Sequence, residues 1–160
     1  MPNGVTEIGE NAFINCTVLK KVSIPLSVIS IRDLAFKGCS SLTSIIIPSS
    51  VTMIGEKMFA NCSSLMLINI PSSVTTIGEQ AFSGCSNLRR ITIPSSVTTI
   101  GKSAFYNCQE LKDVIISSSV ISIGDFAFHG CIFVSSVMLS RRTNVVKDVF
   151  PLGVKFEYTD

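Results

Sequence analysis

The most reactive side chains in this 160-residue sequence are six cysteines and one histidine. The cysteines are Cys16, Cys39, Cys62, Cys85, Cys108 and Cys131. No two of them are separated by only two residues, and His129 is the only histidine, so the ligand spacings of a tetrahedral zinc site are absent. One histidine at a variable position also supplies no base for a serine or cysteine nucleophile. The sequence therefore predicts no metal, no cofactor and no catalytic residue, and we expect a protein that is not an enzyme.

The spacing of the cysteines carries more information than their chemistry. They span 115 residues in five equal intervals of 23, and one phenylalanine and one isoleucine column keep the same period. One unit reads L-x-x-I-x-I-P-x-S-V-x-x-I-G-x-x-A-F-x-x-C, and the stretch IPSSVTTIG occurs identically at 70–78 and 93–101. A fixed period of this length indicates stacked units, each unable to bury its apolar face alone.

Each unit is predicted to begin with a short strand. The segment L-x-x-I-x-I ends in alternating β-branched residues, for example Ile45 and Ile47, and a proline such as Pro48 ends it. Six such strands are expected to form one parallel sheet. A serine two residues after the proline position, such as Ser50, is expected to hydrogen-bond the backbone of its own or the next coil.

The second half of the unit, for example 55–62, is predicted to form one or two turns of helix on the outer, convex face. The residue before each cysteine is alternately asparagine and glycine, the types that most readily adopt left-handed backbone angles at a helix end. An acidic residue follows the glycine position in five of six units, which is typical of a helix start. We interpret this acidic column as a solvated capping row and not as a metal site.

The cysteines could pair or remain free. Neighbouring cysteines are expected about 4.8 Å apart, which does not exclude a disulfide. Equivalent side chains in successive coils point the same way, however, and their Cβ atoms would have to approach by roughly 1 Å more. We therefore expect six buried free thiols, which fit a reducing compartment better than an oxidising one.

The repeat unit resembles the BspA-like leucine-rich repeat, a 23-residue class found in surface and secreted proteins of bacteria and of unicellular eukaryotic parasites. The resemblance covers residues 2–139 and departs from the usual pattern at Arg32 and Met58. It implies an α/β repeat solenoid: a right-handed superhelix with a parallel sheet on the concave face and short helical turns on the convex face. It also implies adhesion and protein binding, and it transfers no catalytic residue.

The register of the repeat is lost after Leu139, so we divide the chain into a solenoid of about six repeats at 1–139 and a C-terminal capping segment at 140–160. Within the predicted cap, Val154, Phe156 and Tyr158 alternate as a final short strand. At the other end, Pro2 aligns with Pro25, so the first coil has no preceding strand, which is expected to favour self-association.

Residues that alternate away from the core on the predicted strands form the candidate binding row on the concave face. The row contains Lys21, Ser44, Ile46, Leu67, Asn69, Arg90, Thr92, Asp113, Ile115 and Met138. Its mixture of apolar and basic residues is of the kind found at protein interfaces. The alternative is that a fully paired sheet accepts any strand-forming residue on its open face.

Charge and hydropathy restrict the partner. A net charge of +2 gives little attraction to nucleic acid, and no apolar stretch approaches the roughly 20 residues that span a bilayer, so we expect a soluble chain without membrane insertion. The predicted function is a protein-protein interaction module, in adhesion or host-protein binding; the alternatives are an intracellular scaffold or a self-associating repeat protein. We expect the cell surface or a secreted location if the chain is a fragment, and the cytoplasm if Met1 is the native start.

Overall fold

The computed structural model describes residues 4–146 and 148–159, and this part of the chain contains strands and turns but no helix. Its fourteen short strands are β1 (Glu7–Ile8), β2 (Lys21–Val22), β3 (Ser30–Ile31), β4 (Ser44–Ile46), β5 (Met53–Ile54), β6 (Leu67–Asn69), β7 (Thr76–Ile77), β8 (Arg90–Ile93), β9 (Thr99–Ile100), β10 (Asp113–Ile116), β11 (Ser122–Ile123), β12 (Ser136–Ser140), β13 (Asn144–Val145) and β14 (Lys155–Thr159). Each coil of about 23 residues contributes one strand to each of two faces.

The first face consists of the even-numbered strands and contains the predicted L-x-x-I-x-I strands. Its hydrogen-bonded groups are β2-β4-β6, β8-β10 and β12-β14, and the groups contact one another through β6 with β8 and through β10 with β12. All pairs are parallel, and Ile45 pairs with Ile68, which is 23 residues further along the chain. The parallel solenoid predicted from the repeat is therefore confirmed.

The second face consists of the odd-numbered strands, and the sequence analysis did not predict it. Strands β5, β7, β9, β11 and β13 are neighbours in one parallel group, and β1 pairs with β3. Pairing is interrupted between β3 and β5, where Arg32 stands in the glycine column. There the Asp33 carboxylate accepts the backbone N–H of Glu56 at 2.8 Å. The prediction of one sheet was incomplete, because these two-residue strands are too short to show alternation.

The prediction of helical turns on the convex face is wrong. One residue in this segment of each of the six repeats has φ between 51° and 60°, among them Leu34 and Lys57, and such an angle interrupts any helix. The backbone N–H groups alternate in their partners: Phe59 donates to Ala81 of the next coil, whereas Ala60 donates to Lys57 within its own turn. The segment therefore stacks on the next coil through its backbone, and the acidic column lies at no helix terminus.

The left-handed angles predicted at the residue before each cysteine are confirmed, although no helix is present for them to cap. Asn15, Asn61 and Asn107 have φ of 55°, 59° and 56°, and the glycines that alternate with them have φ from 73° to 80°. The carboxamide of Asn61 lies against Gly84, where a Cβ atom would come within 2.3 Å of its Oδ1. The alternation of asparagine and glycine therefore has a packing reason.

The core is a set of columns that run along the solenoid. Phe36, Phe59, Phe82, Phe105 and Phe128 are fully buried, and successive rings from Phe13 to Phe128 stack with centroids 4.9–5.6 Å apart. Isoleucine, leucine and valine columns from both faces enclose the rings. Since each side chain packs on its equivalent in the next coil, burial of the apolar surface requires several coils.

Serine hydroxyls link successive coils at the turn after the proline position, as expected. Ser50 and Ser73 donate to the carbonyls of Val28 and Val51 at 2.5 and 2.6 Å, and Ser27 and Ser119 make the same bond in their coils. Ser96 departs from the pattern, because its buried hydroxyl has no partner among the described residues.

The C-terminal segment continues the stacking with one residue fewer. Ser122 pairs with Asn144, 22 residues later, and the Phe150 ring stacks on Phe128 with centroids 4.9 Å apart. Strand β14 pairs in parallel with β12. We propose that the segment from residue 140 onward caps the last full repeat, because these contacts cover its core.

Candidate functional site

The six cysteines are free thiols, as the sequence analysis predicted. Five are fully buried, and Cys16 in the first coil is half-buried because no described coil precedes it. Each buried thiol donates to a phenylalanine carbonyl of the preceding coil, as Cys62 does to Phe36 at 3.1 Å and Cys108 does to Phe82 at 3.2 Å. Sequence reasoning missed this bond, although its 26-residue separation is one repeat plus the three residues between the two columns.

Burial makes these thiols poor nucleophiles. It raises the pKa of Cys39 to about 11 and that of Cys62 to about 12, and a neighbouring cysteine raises both further. The pKa values of Cys85 and Cys108 are raised well above the usual value for the same first reason. Since the thiolate is the reactive form, the cysteine column has a packing role.

The remaining titratable groups do not converge. Among residues 4–146 and 148–159, no group of three His, Cys, Asp or Glu side chains could hold a metal ion. His129 is exposed and stacks on Tyr106 with ring centroids 5.7 Å apart. The outward side of the first face is therefore the candidate site that remains.

The strands of the first face position the candidate row by simple alternation. In β4, Ser44 and Ile46 point outward while Ile45 between them is buried, and β6, β8 and β10 repeat the pattern. All ten residues of the predicted row are exposed on this face: Lys21, Ser44, Ile46, Leu67, Asn69, Arg90, Thr92, Asp113, Ile115 and Met138. Their place on the face agrees with the prediction, and their role in binding stays a prediction.

The candidate row exposes large apolar side chains in two groups. Ile46 and Leu67 are 83% and 62% exposed on adjacent strands β4 and β6, and Ile115 and Met138 are about half exposed on β10 and β12. Met66, which the sequence analysis did not include, lies beside Leu67 and is also exposed. Two neighbouring groups of exposed apolar residues on a rigid sheet are a feature of protein-binding surfaces.

Charged side chains lie between and beside the apolar groups. Arg90 pairs with Asp113 on the adjacent strand, with Nε and Oδ2 3.7 Å apart. The Lys112 ammonium lies over the ring of Phe133 at 5.0 Å from its centroid. A shallow cavity of about 490 Å³ adjoins the row where Lys21, Leu26 and Ile46 meet. The sequence did not predict this cavity, because Leu26 lies in the turn that follows the strand.

Comparison with known proteins gives the class of this solenoid. The family of the BspA type leucine rich repeat region matches residues 1–112 and 64–150 in six copies. The chain therefore belongs to the BspA-type leucine-rich repeat family, and the predicted resemblance is confirmed. A search of curated proteins found no match.

Solved structures of bacterial leucine-rich repeat proteins are similar to this chain. A protein from Bacteroides ovatus is 36% identical with a TM-score of 0.91 over 96% of this chain and 41% of its own. The leucine-rich repeat protein of T. pallidum is 32% identical with a TM-score of 0.72, over 86% and 72%. The pneumococcal vaccine antigen PcpA is 25% identical with a TM-score of 0.76, over 88% and 36%. The chain thus spans less than half the length of the first and third.

None of the described residues forms a helix long and apolar enough to cross a bilayer.

Proposed function

We propose that this protein is a non-catalytic protein-binding module and that the outward side of the first face is its recognition surface. The observation that carries the proposal is the exposure of Ile46, Leu67, Ile115 and Met138 on strands whose inward residues are buried. Leaving four large apolar side chains in water on one face costs solubility, and burial against a partner would recover the free energy of transfer. The leucine-rich repeat family, typically a scaffold for protein interaction, agrees with this function.

Adhesion or binding of a host protein is the finer form of the proposal. It is supported by similarity to PcpA, a pneumococcal vaccine antigen. A surface or secreted location follows from this form of the proposal, and the partner is then an extracellular or surface protein of a host.

The test uses two triple variants with the same change in charge. Leu67, Arg90 and Ile115 are replaced by glutamate on the first face, and Thr75, Lys102 and Ile121 are replaced by glutamate elsewhere on the surface. Each set replaces one basic and two neutral residues, so the net charge changes by the same amount. All six side chains are exposed, and both variants are expected to keep the fold.

The readout is the affinity for a partner captured from extracellular matrix or from cell lysate, titrated against both variants. The first-face variant is expected to lose binding at least a hundredfold, because interface free energy is concentrated in a few central desolvated residues. The second variant is expected to bind like the parent. Loss of binding by the second variant alone would contradict the proposal.

Self-association is a second candidate function, favoured by the surface of the first described coil. Phe13, Leu19 and Val22 are partly exposed there, whereas their equivalents in the next coil are buried. A concentration-dependent increase in mass, measured by light scattering after size exclusion and abolished by Val22→Lys, would support it. A monomer at every concentration tested would contradict it.

A further inference from the structure

Positive charge on the first face is concentrated at two strands. Lys20 and Lys21 lie at β2, and Arg89 and Arg90 lie at β8; all four side chains are exposed. Strands β4 and β6 lie between them and expose Ile46, Met66 and Leu67 without any acidic residue in 43–46 or 66–69. The face from β2 to β8 is therefore apolar in the middle and basic at both edges.

The charges at these edges are largely unneutralised. Arg90 pairs with Asp113, but both side chains are more than half exposed, so this ion pair contributes little. Within 4–146 and 148–159, Lys20, Lys21 and Arg89 have no ion-pair partner. The nearest strands supply no carboxylate that could compensate them, and a negative partner would meet an attractive field on this face.

The acidic residues lie elsewhere in the coil. In five of six repeats an acidic side chain stands in the turn segment that follows the second face: Glu10, Asp33, Glu56, Glu79 and Asp125. The small net charge of +2 is thus the sum of a basic first face and an acidic turn column. This separation gives the first face a charge selectivity that the net charge does not indicate.

The dimensions of the face define what fits it. Strands β2 and β8 are three strand spacings apart, about 14 Å at ~4.8 Å per spacing. An extended chain advances ~3.3 Å per residue, so about four residues cover this distance. A segment with carboxylates at both ends and apolar side chains between them would match both basic edges and the apolar middle at once.

We infer that the β2 to β8 part of the first face binds an extended acidic protein segment whose apolar side chains lie between two carboxylate-bearing ends. The inference rests on the proposed function and gives the chemistry of its partner. Carboxylates accept hydrogen bonds from Lys21 and Arg89, and the arginine fork permits a two-point contact. The apolar side chains cover Ile46, Met66 and Leu67, a contact that a sulfated polysaccharide cannot make.

The probe is a fluorescein-labelled peptide with two acidic residues at each end and three apolar residues between them, titrated with the full chain by fluorescence anisotropy. One control peptide carries glutamine in place of the acids, and another carries serine in place of the apolar residues. Both controls are expected to bind at least tenfold more weakly than the probe. Binding of the probe is expected to weaken several-fold between 50 and 300 mM NaCl.

Three variants locate the site. Lys21→Glu with Arg89→Glu is expected to weaken binding of the probe at least thirtyfold. Lys102→Glu with Arg142→Glu makes the same charge change at exposed positions off the first face and is expected to stay within threefold of the parent. Leu67→Ser tests the apolar middle and is expected to weaken binding about fivefold.

The outcomes separate this inference from the proposed function. Tight binding of heparin that displaces the probe and is insensitive to Leu67→Ser would overturn the inference in favour of a polyanion site. Equal effects of the two double variants would overturn it as well. Failure of the probe to bind would also overturn it. In each case, a captured protein that still requires Leu67, Arg90 and Ile115 would leave the proposed function standing.

Discussion

Replacement of a central ring of the phenylalanine column tests the packing that holds the coils together. Phe82 is fully buried and stacks on Phe59 and Phe105 with centroids 5.4 and 5.1 Å away. Phe82→Ala removes both stacking contacts and leaves a cavity between two coils. We expect a loss of ~3–5 kcal/mol in the free energy of unfolding.

Phe13→Ala is the matched control within the same column. Phe13 stacks on one ring only, Phe36 at 5.1 Å, and is partly exposed in the first coil. Less apolar surface is lost and no enclosed cavity forms, so we expect about 1–2 kcal/mol. The two variants differ in depth along the column and not in chemistry.

Thermal and urea denaturation followed by circular dichroism measure the difference. For a chain of this length 1 kcal/mol corresponds to about 2–4 °C in Tm, so Phe82→Ala is expected to lower Tm by roughly 6–20 °C. A split transition would count as a loss, since coils can unfold separately in repeat proteins. A Phe82→Ala variant no less stable than Phe13→Ala would refute the packing argument.

Three further predictions follow from individual contacts. Gly101→Ala should cost about 2–4 kcal/mol in urea denaturation, because its Cβ would lie 2.7 Å from the backbone nitrogen of Glu79 in the preceding coil, whereas Gly9→Ala has no atom within 4 Å to meet; equal losses would show that the glycine column is not packed as described. A thiol reagent should label the native chain slowly and reach all six cysteines in denaturant without reductant, and fewer than six would reveal disulfides. Since the folded pKa of Cys62 is about 12 against 9.0 in the unfolded chain, the thiol stays protonated in the fold while the unfolded state ionises above pH 9, so stability falls by about 1.4 kcal/mol per such thiol from pH 8 to pH 10. Cys62→Ala should show a smaller alkaline loss than the parent, and an identical loss would contradict the assignment.

The first face could be predicted because its strands carry a readable pattern. Alternation of buried and exposed residues, as in Ser44, Ile45 and Ile46, repeats with the period of the cysteines and determines which side chains point outward. The phenylalanine column follows from the same period, since equivalent residues of stacked units must meet.

The turn segment could not be predicted because its decisive residues have no distinctive type. Leu34, Lys57 and Phe126 adopt left-handed angles, which side chains of these types rarely do, and nothing in their identity indicates it. The angles are imposed by hydrogen bonds to the next coil, such as that from Lys57 to Glu79 at 2.9 Å. Tertiary contacts therefore replace the helix that local sequence suggests.

The charge separation on the first face was also missed. It depends on Lys20 and Arg89 lying at the same edge as Lys21 and Arg90, and on two intervening strands without a carboxylate. Net charge averages this arrangement with the acidic turn column, so only the register of the coils makes it visible.

Position-specific crosslinking tests most directly whether the first face is the recognition surface. A photoreactive benzoylphenylalanine is placed at Leu67 on the first face or at Ile121 beside the second face, two side chains that are 62% and 61% exposed. Both variants are irradiated with a captured protein partner. The account predicts a crosslinked product from position 67 and none from position 121. A product from position 121 and none from position 67 would contradict it.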